Sequence, residues 1–180
     1  MQKLFETLAK NLKDLCDQRD VEKLIKIIDN AEKVFCSGMG RSGLVARAFA
    51  MRLMHLGYKA FVIGETITPR IGPGDVLIAV SGSGETPFIV ALAKKAKEIG
   101  ARVVAVTSKA DASIAKIADL TIVLKCRKDR EISKFAPLGT LFELSAMIFF
   151  DGVIAEIMEK KNISEEELTK RHSIENEVGL

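Results

Sequence analysis

The chain of 180 residues has no tryptophan, one tyrosine and nine phenylalanines. Readers of single-stranded nucleic acid need aromatic stacking platforms. That scarcity, with a net charge of only +3, excludes nucleic acid as the expected partner. Lys94, Lys95 and Lys97 do cluster, but they read as the solvated face of a helix. No apolar run reaches the ~18 residues that a membrane helix requires. The opening stretch "MQKLFETLAKNL" carries charge throughout, so neither a signal peptide nor a membrane span is expected. The only cysteines, Cys16, Cys36 and Cys126, fit neither a disulfide framework nor zinc-ligand spacing. A reducing cytoplasm is the expected compartment. No Gly-Lys-[Ser/Thr] occurs, which excludes a P-loop.

What is present is a core. Hydrophobic residues make up 48% of the chain and charged ones 28%, the balance of a folded domain rather than a disordered one. Leu4, Phe5, Leu8, Leu12 and Leu15 recur at helical spacing, and a second helix follows from about Val21 to Ala31. From there the rhythm changes to short apolar runs alternating with helical patterns. Strands are expected at 33–38, 60–64, 76–81, 102–108 and 120–125, and helices at 41–57, 86–100, 112–119 and about 140–160. "SEEE" (164–167) opens a last short helix as a capping box. Continuous apolar strands suit a sheet covered on both faces. The expected fold is an α/β domain with one open, five-stranded parallel sheet. Residues 1–31 form an N-terminal helical arm, 32–160 the sheet core and 161–180 a C-terminal helix and tail, all within a single domain of 1–180.

One pattern occurs twice. "SGMGRSG" (37–43) follows the first strand and "SGSGETP" (81–87) follows the third, each leading into a helix. With strand order 2-1-3-4-5 the chain reverses direction across the sheet between these strands, and ligands bind at the carboxyl ends flanking such a switch. A helix N-terminus attracts anions, glycine lets backbone approach closely, and serine and threonine add hydroxyl donors. Two facing loops of this kind suit a phosphate. Each alone is also an ordinary strand-to-helix turn. A dinucleotide site is the other reading. Gly38, Gly40 and Gly43 spell G-x-G-x-x-G, with Glu65 22 residues beyond Gly43. That reading leaves "SGSGET" without a role and the chain without room for a second catalytic domain.

"CSGMGRSGLVARAFAMRLMHLG" with "AVSGSGETPFIVALAKKAKEIGARVVAVTS" and "PLGTLFELSAMIFFDGVI" resembles the sugar isomerase (SIS) domain family. Within it the resemblance points to the 6-phospho-3-hexuloisomerases. The resemblance implies a flavodoxin-like SIS fold, a phosphorylated-sugar substrate and a homotetramer. It implies interconversion of 3-hexulose 6-phosphate and fructose 6-phosphate with neither cofactor nor metal. It also implies a place in the ribulose monophosphate pathway of formaldehyde fixation, with hexulose phosphate synthase as pathway partner. Other SIS enzymes, and sensors that bind a sugar phosphate without chemistry, are the alternative functions.

Moving a ketone between neighbouring carbons requires a base that carries a proton through an enediol, and a carboxylate of raised pKa suits that role. Glu143 is the only charged residue between Lys134 and Asp151, where desolvation would raise its pKa. Thr140 and Glu143 also spell a capping box. The resemblance likens the Glu of "TLFE", here Glu143, to the catalytic proton acceptor. It likens Ser42 and the run Gly82, Ser83, Gly84, Glu85, Thr86 and Pro87 to substrate-binding positions. Glu85 either binds a sugar hydroxyl or serves as a first-turn acid. Arg41 meets either the phosphate or solvent. His55, near a helix C-terminus, reads as structural. Related enzymes place a C-terminal histidine at a neighbour's active site. His172 in "KRHSIENE" is the candidate for this general acid, although close members read more like "HANLE"; the alternative is a solvated tail residue. Finally, helix 41–57 is apolar nearly all round, which suits one side on the sheet and the other on the N-terminal arm or a second subunit.

Overall fold

The computed structural model describes residues 1–126 and 130–172. The chain begins with α1 (Gln2–Leu12) and α2 (Gln18–Asp29). It then winds through β1 (Val34–Gly38), α3 (Gly40–His55), β2 (Ala60–Val62), β3 (Val76–Val80), α4 (Pro87–Ile99), β4 (Arg102–Thr107), α5 (Ser113–Ile117) and β5 (Leu120–Val123). The short α6 (Arg130–Ser133), the long α7 (Thr140–Lys161) and α8 (Glu165–Thr169) complete it. The sheet order is β2-β1-β3-β4-β5 and every pairing is parallel. This is the expected SIS-type α/β/α architecture with the expected order.

Local chemistry sets the helix ends. Asp17 accepts from the Arg19 amide and starts α2. Pro87 at the first turn and Gly100 in the left-handed region (φ 93°) bracket α4. Ser164 and Glu167 form the reciprocal capping box of α8. At the N-terminal end, α1 stops at Leu12, and a turn through Cys16 separates it from α2.

Strand alternation divides the core. Val34, Cys36, Val76, Ile78, Val80, Val104 and Val106 point to the face covered by α2, α3 and α7. Phe35, Leu77, Ala79, Val103 and Ala105 point to the face covered by α4 and α5. All of these side chains are buried, and each large one contributes about 1.5–3 kcal/mol relative to exposure. On the first face Phe49 of α3 stacks on Phe150 of α7, with ring centroids 4.0 Å apart. Val21, Leu24, Ile25 and Ile28 of α2 are buried in that same layer, and α2 packs on β5 and α7. Among the described residues no helix is long and apolar enough to cross a membrane, and all three cysteines are free.

Candidate functional site

The register brings Gly38 at the end of β1 beside Val80 at the end of β3. The two glycine loops therefore leave the same edge of the sheet side by side. In the first loop Gly38 and Gly43 close on each other's backbone: a Cβ on Gly43 would lie 2.7 Å from the Gly38 carbonyl oxygen. Gly40 takes φ 56° at the start of α3. Serine and threonine side chains brace the second loop. The Gly84 amide donates to Ser81 Oγ at 3.2 Å, and Ser81 Oγ lies 2.9 Å from Thr86 Oγ1. The Glu85 amide donates to Ser83 Oγ at 3.2 Å. The Gly82 carbonyl accepts from Ser108 Oγ at 2.6 Å. Thr86 is the N-cap of α4 but its side chain caps no amide there. Pro87 has no N–H and the Val90 N–H donates to the Thr86 carbonyl at 3.0 Å, so Phe88 and Ile89 carry the first-turn amides that no side chain caps.

Between these loops and the start of α7 lies a cavity of about 350 Å³. Its polar wall carries Ser42, Ser81, Ser83, Thr86, Ser108 and Lys109. Its apolar wall carries Met39, Leu138, Leu141 and Phe142, and Glu143 faces the same space. Gly82 is required here because a Cβ on it would meet the Phe142 ring at 2.8 Å.

Glu143 does not make the capping box that Thr140 and Glu143 spell. The N-cap of α7 is Gly139, and the Thr140 hydroxyl donates to the Pro137 carbonyl at 2.6 Å. Two consecutive left-handed residues, Leu138 (φ 52°) and Gly139 (φ 90°), turn the chain into the helix. A non-glycine residue in that region costs about 1–2 kcal/mol, here at an exposed leucine on the cavity rim. The turn points the Glu143 side chain, 11% exposed, at the cavity, with Arg41 Nε 2.8 Å from its Oε2. Burial pushes the carboxyl above its ordinary value, and the Arg41 charge pulls part of the way back.

Of the residues singled out in the sequence, Ser42, Gly82, Ser83, Thr86 and Glu143 line one cavity. Gly84, Glu85 and Pro87 do not. Gly84 (φ 66°) lies under Ala112, and Pro87 occupies the first position of α4. Both Glu85 oxygens accept from Ser113, at 2.9 Å from its amide and 2.5 Å from its hydroxyl. Those bonds hold the Glu85 carboxyl below its usual value and tie the second loop to α5. Glu65 is paired with Arg47, so the acid that the dinucleotide reading needs is engaged elsewhere.

His172 sits at the other end of the molecule. Its ring lies 4.6 Å from that of His55, at the C-terminus of α3. The N-terminus of α3 borders the cavity, so 16 residues of helix at 1.5 Å rise put roughly 20 Å between His172 and its own chain's cavity. His55 is buried. Desolvation first, and the nearby His172 and Arg52 next, hold its imidazole below the ordinary value.

Sequence reasoning did not name Met39, Ser108, Lys109, Leu138 or Phe142 as cavity residues. Ser108 and Lys109 follow directly on β4, so the rule that sites lie beyond the carboxyl ends of strands would have found them. Phe142 carried no such signal.

Residues 27–149 match the family model "SIS domain". The chain belongs to the SIS-domain family. A 3-hexulose-6-phosphate isomerase from Methanocaldococcus jannaschii is 47% identical over 152 residues, covering 84% of this chain and 82% of the relative. One of the same name from Bacillus subtilis is 39% identical, covering 86% and 85%. A Methanococcus jannaschii crystal structure, from which a function of 3-hexulose-6-phosphate isomerase was inferred, superposes with TM-score 0.88 at 40% identity. That match covers 96% of this chain and 98% of the other. The SIS-domain residues thus include both glycine loops, the whole sheet and the start of α7 up to and beyond Glu143.

Proposed function

We propose that this SIS-domain chain is a 6-phospho-3-hexuloisomerase interconverting 3-hexulose 6-phosphate and fructose 6-phosphate. The observation that carries the reading is one largely buried carboxylate, Glu143, sharing a cavity with a phosphate-type cradle. The cavity volume, about 350 Å³, lies within the ~300–1,000 Å³ of small-molecule sites. The phosphate sits against the α4 N-terminus, with Ser83 and Thr86 hydroxyls as donors and Lys109 as counter-charge. The sugar then extends past Ser42 toward Glu143. From the 3-ketose, Glu143 takes the proton at C2 and a 2,3-enediolate forms. The C3 oxygen gains a proton as the C2 oxygen loses one, and the proton returned to C3 leaves the ketone at C2. Met39, Leu141 and Phe142 limit water around the enediolate.

A homotetramer is part of the same proposal. Leu44, Met51 and Met54 of α3 and Ile148 of α7 are exposed apolar residues, which supports burial against further copies. His172, being remote from its own cavity, serves as general acid only from a neighbouring subunit. Three free thiols suit a reducing cytoplasm, and the substrate places the enzyme after hexulose phosphate synthase in the ribulose monophosphate pathway.

The test is NMR of fructose 6-phosphate with the protein in D₂O. Deuterium entering at C3 with a new 3-ketose signal is the expected outcome. Deuterium at C1 with an aldose signal would replace the substrate and keep the class. Binding without exchange would leave a sugar-phosphate sensor. Glu143→Gln should retain the fold and lose about 10²–10⁴-fold in turnover; wild-type rates from that variant would remove Glu143 as the base.

A further inference from the structure

We propose that Arg41 is a positioning residue for the isomerisation base: it holds the Glu143 carboxyl turned so that Oε1 faces the sugar. This rests on the reading of Glu143 given above. Arg41 is the second residue of α3, in the first glycine loop, and its guanidinium crosses to α7. Its Nε lies 2.8 Å from Glu143 Oε2, and its Nη1 lies 3.5 Å from Thr140 Oγ1. The Nε contact is an ion pair out of line for a hydrogen bond, and Oε2 is fully buried. Oε1 is the oxygen on the Gly139 side. With Oε2 occupied by the guanidinium, Oε1 is the one left to meet a carbon-bound proton.

The obvious alternative is that Arg41 binds the phosphate. Three observations oppose it. Arg41 does not line the cavity; it reaches Glu143 from outside, with 53% of its side chain exposed. Its contacts are on α7, whereas the uncapped amides and the bracing hydroxyls are on the second loop. The phosphate side already has a cation, because Lys109 lines the cavity beyond β4. Besides Glu143 and Lys109, the described residues of the cavity wall bring one further titratable group, the Cys126 thiol, which burial pushes up. The segment containing α6 contributes Ile132, Ser133 and Ala136, and the start of α7 contributes Leu141 and Phe142.

The arrangement answers a chemical problem. A general base must be ionised before it can accept a proton, and burial opposes ionisation. A cation on the far oxygen offsets part of that penalty without entering the sugar's space. Solvent exposure of the guanidinium keeps the pair weak, so Glu143 retains enough basicity to take the proton.

The experiment is the pH dependence of kcat/KM for fructose 6-phosphate in wild type, Arg41→Gln and Arg41→Lys. It runs beside a ¹³C NMR titration of the Glu143 carboxyl in each protein. Arg41→Gln should move the acid limb and the carboxyl titration together to higher pH. In that limb kcat should fall about two- to fivefold, the range an exposed ion pair supports, with KM little changed. Arg41→Lys should bring both curves most of the way back. An unmoved titration in Arg41→Gln would overturn the proposal. So would a rise in KM at unchanged kcat, which would make Arg41 a substrate ligand. If the wild-type protein fails to turn over fructose 6-phosphate, the functional reading falls, and the carboxyl titration alone still decides the role of Arg41.

Discussion

The two glycine loops, 37–43 and 81–87, share a pattern and leave the same edge of the sheet, yet their small residues answer to different neighbours. In the first loop the pressure is internal. Gly38 would place a Cβ 2.7 Å from the Ser42 backbone, and Gly43 meets Gly38 in turn. These glycines let α3 pack close against β1. In the second loop the pressure comes from other elements. Gly82 faces the Phe142 ring of α7, and Gly84 faces Ala112 just before α5. These glycines let three elements converge beside one cavity. A repeated motif therefore reports a repeated position in the fold, not a repeated job.

Substitutions can separate the two. The largest effect is expected from Gly84→Ala, whose new Cβ would lie 2.3 Å from that of Ala112 at φ 66°. Overpacking and left-handed strain together should cost roughly 2–5 kcal/mol, visible in chemical denaturation. Gly40→Ala, at φ 56° with open space around it, carries the strain alone and should cost about 1–2 kcal/mol. If the two variants were equally stable, crowding at the second loop would not be what fixes Gly84. The smallest effect concerns binding. Ser83→Ala should weaken fructose 6-phosphate about fivefold in calorimetry, the loss of roughly one hydrogen bond. Ser42→Ala should weaken it about twofold or less, because in the proposed pose α3 meets the sugar and not the phosphate. The reverse ranking would move the phosphate to the first loop.

Much of this was legible beforehand because strands and loops advertise themselves locally. Short apolar runs between helical patterns marked all five strands, and the loop echo marked the switch point that the 2-1-3-4-5 order then showed. Glu143 stood out as a lone charge in an apolar stretch. What was hidden depends on partners far away in sequence. Nothing near Arg41 announces that it crosses to Glu143, and nothing near Glu85 announces that Ser113 takes both its oxygens. Thr140 and Glu143 have the right spacing for a capping box, but Leu138 and Gly139 shift the start of α7 so that Gly139 is the cap. Leucine gives no warning of a positive φ. Between the strand expected at 120–125 and the helix expected from about 140, α6 spans Arg130–Ser133, too short to have a period that stands out. The N-terminal periodicity suggested one helix through Leu15, but α1 ends at Leu12 and residues 13–16 turn the chain toward α2.

The cavity is lined from Met39 to Glu143, residues 104 positions apart in the chain (143 − 39). Every strand pair beneath it is parallel and needs a crossover before it can form. Non-local pairing of this kind is slow, because loop closure comes before the contacts that reward it. In a refolding experiment the helices should regain their signal first. Turnover should return only when α7 docks across the finished sheet, so recovery of activity is a clock for the last event in folding.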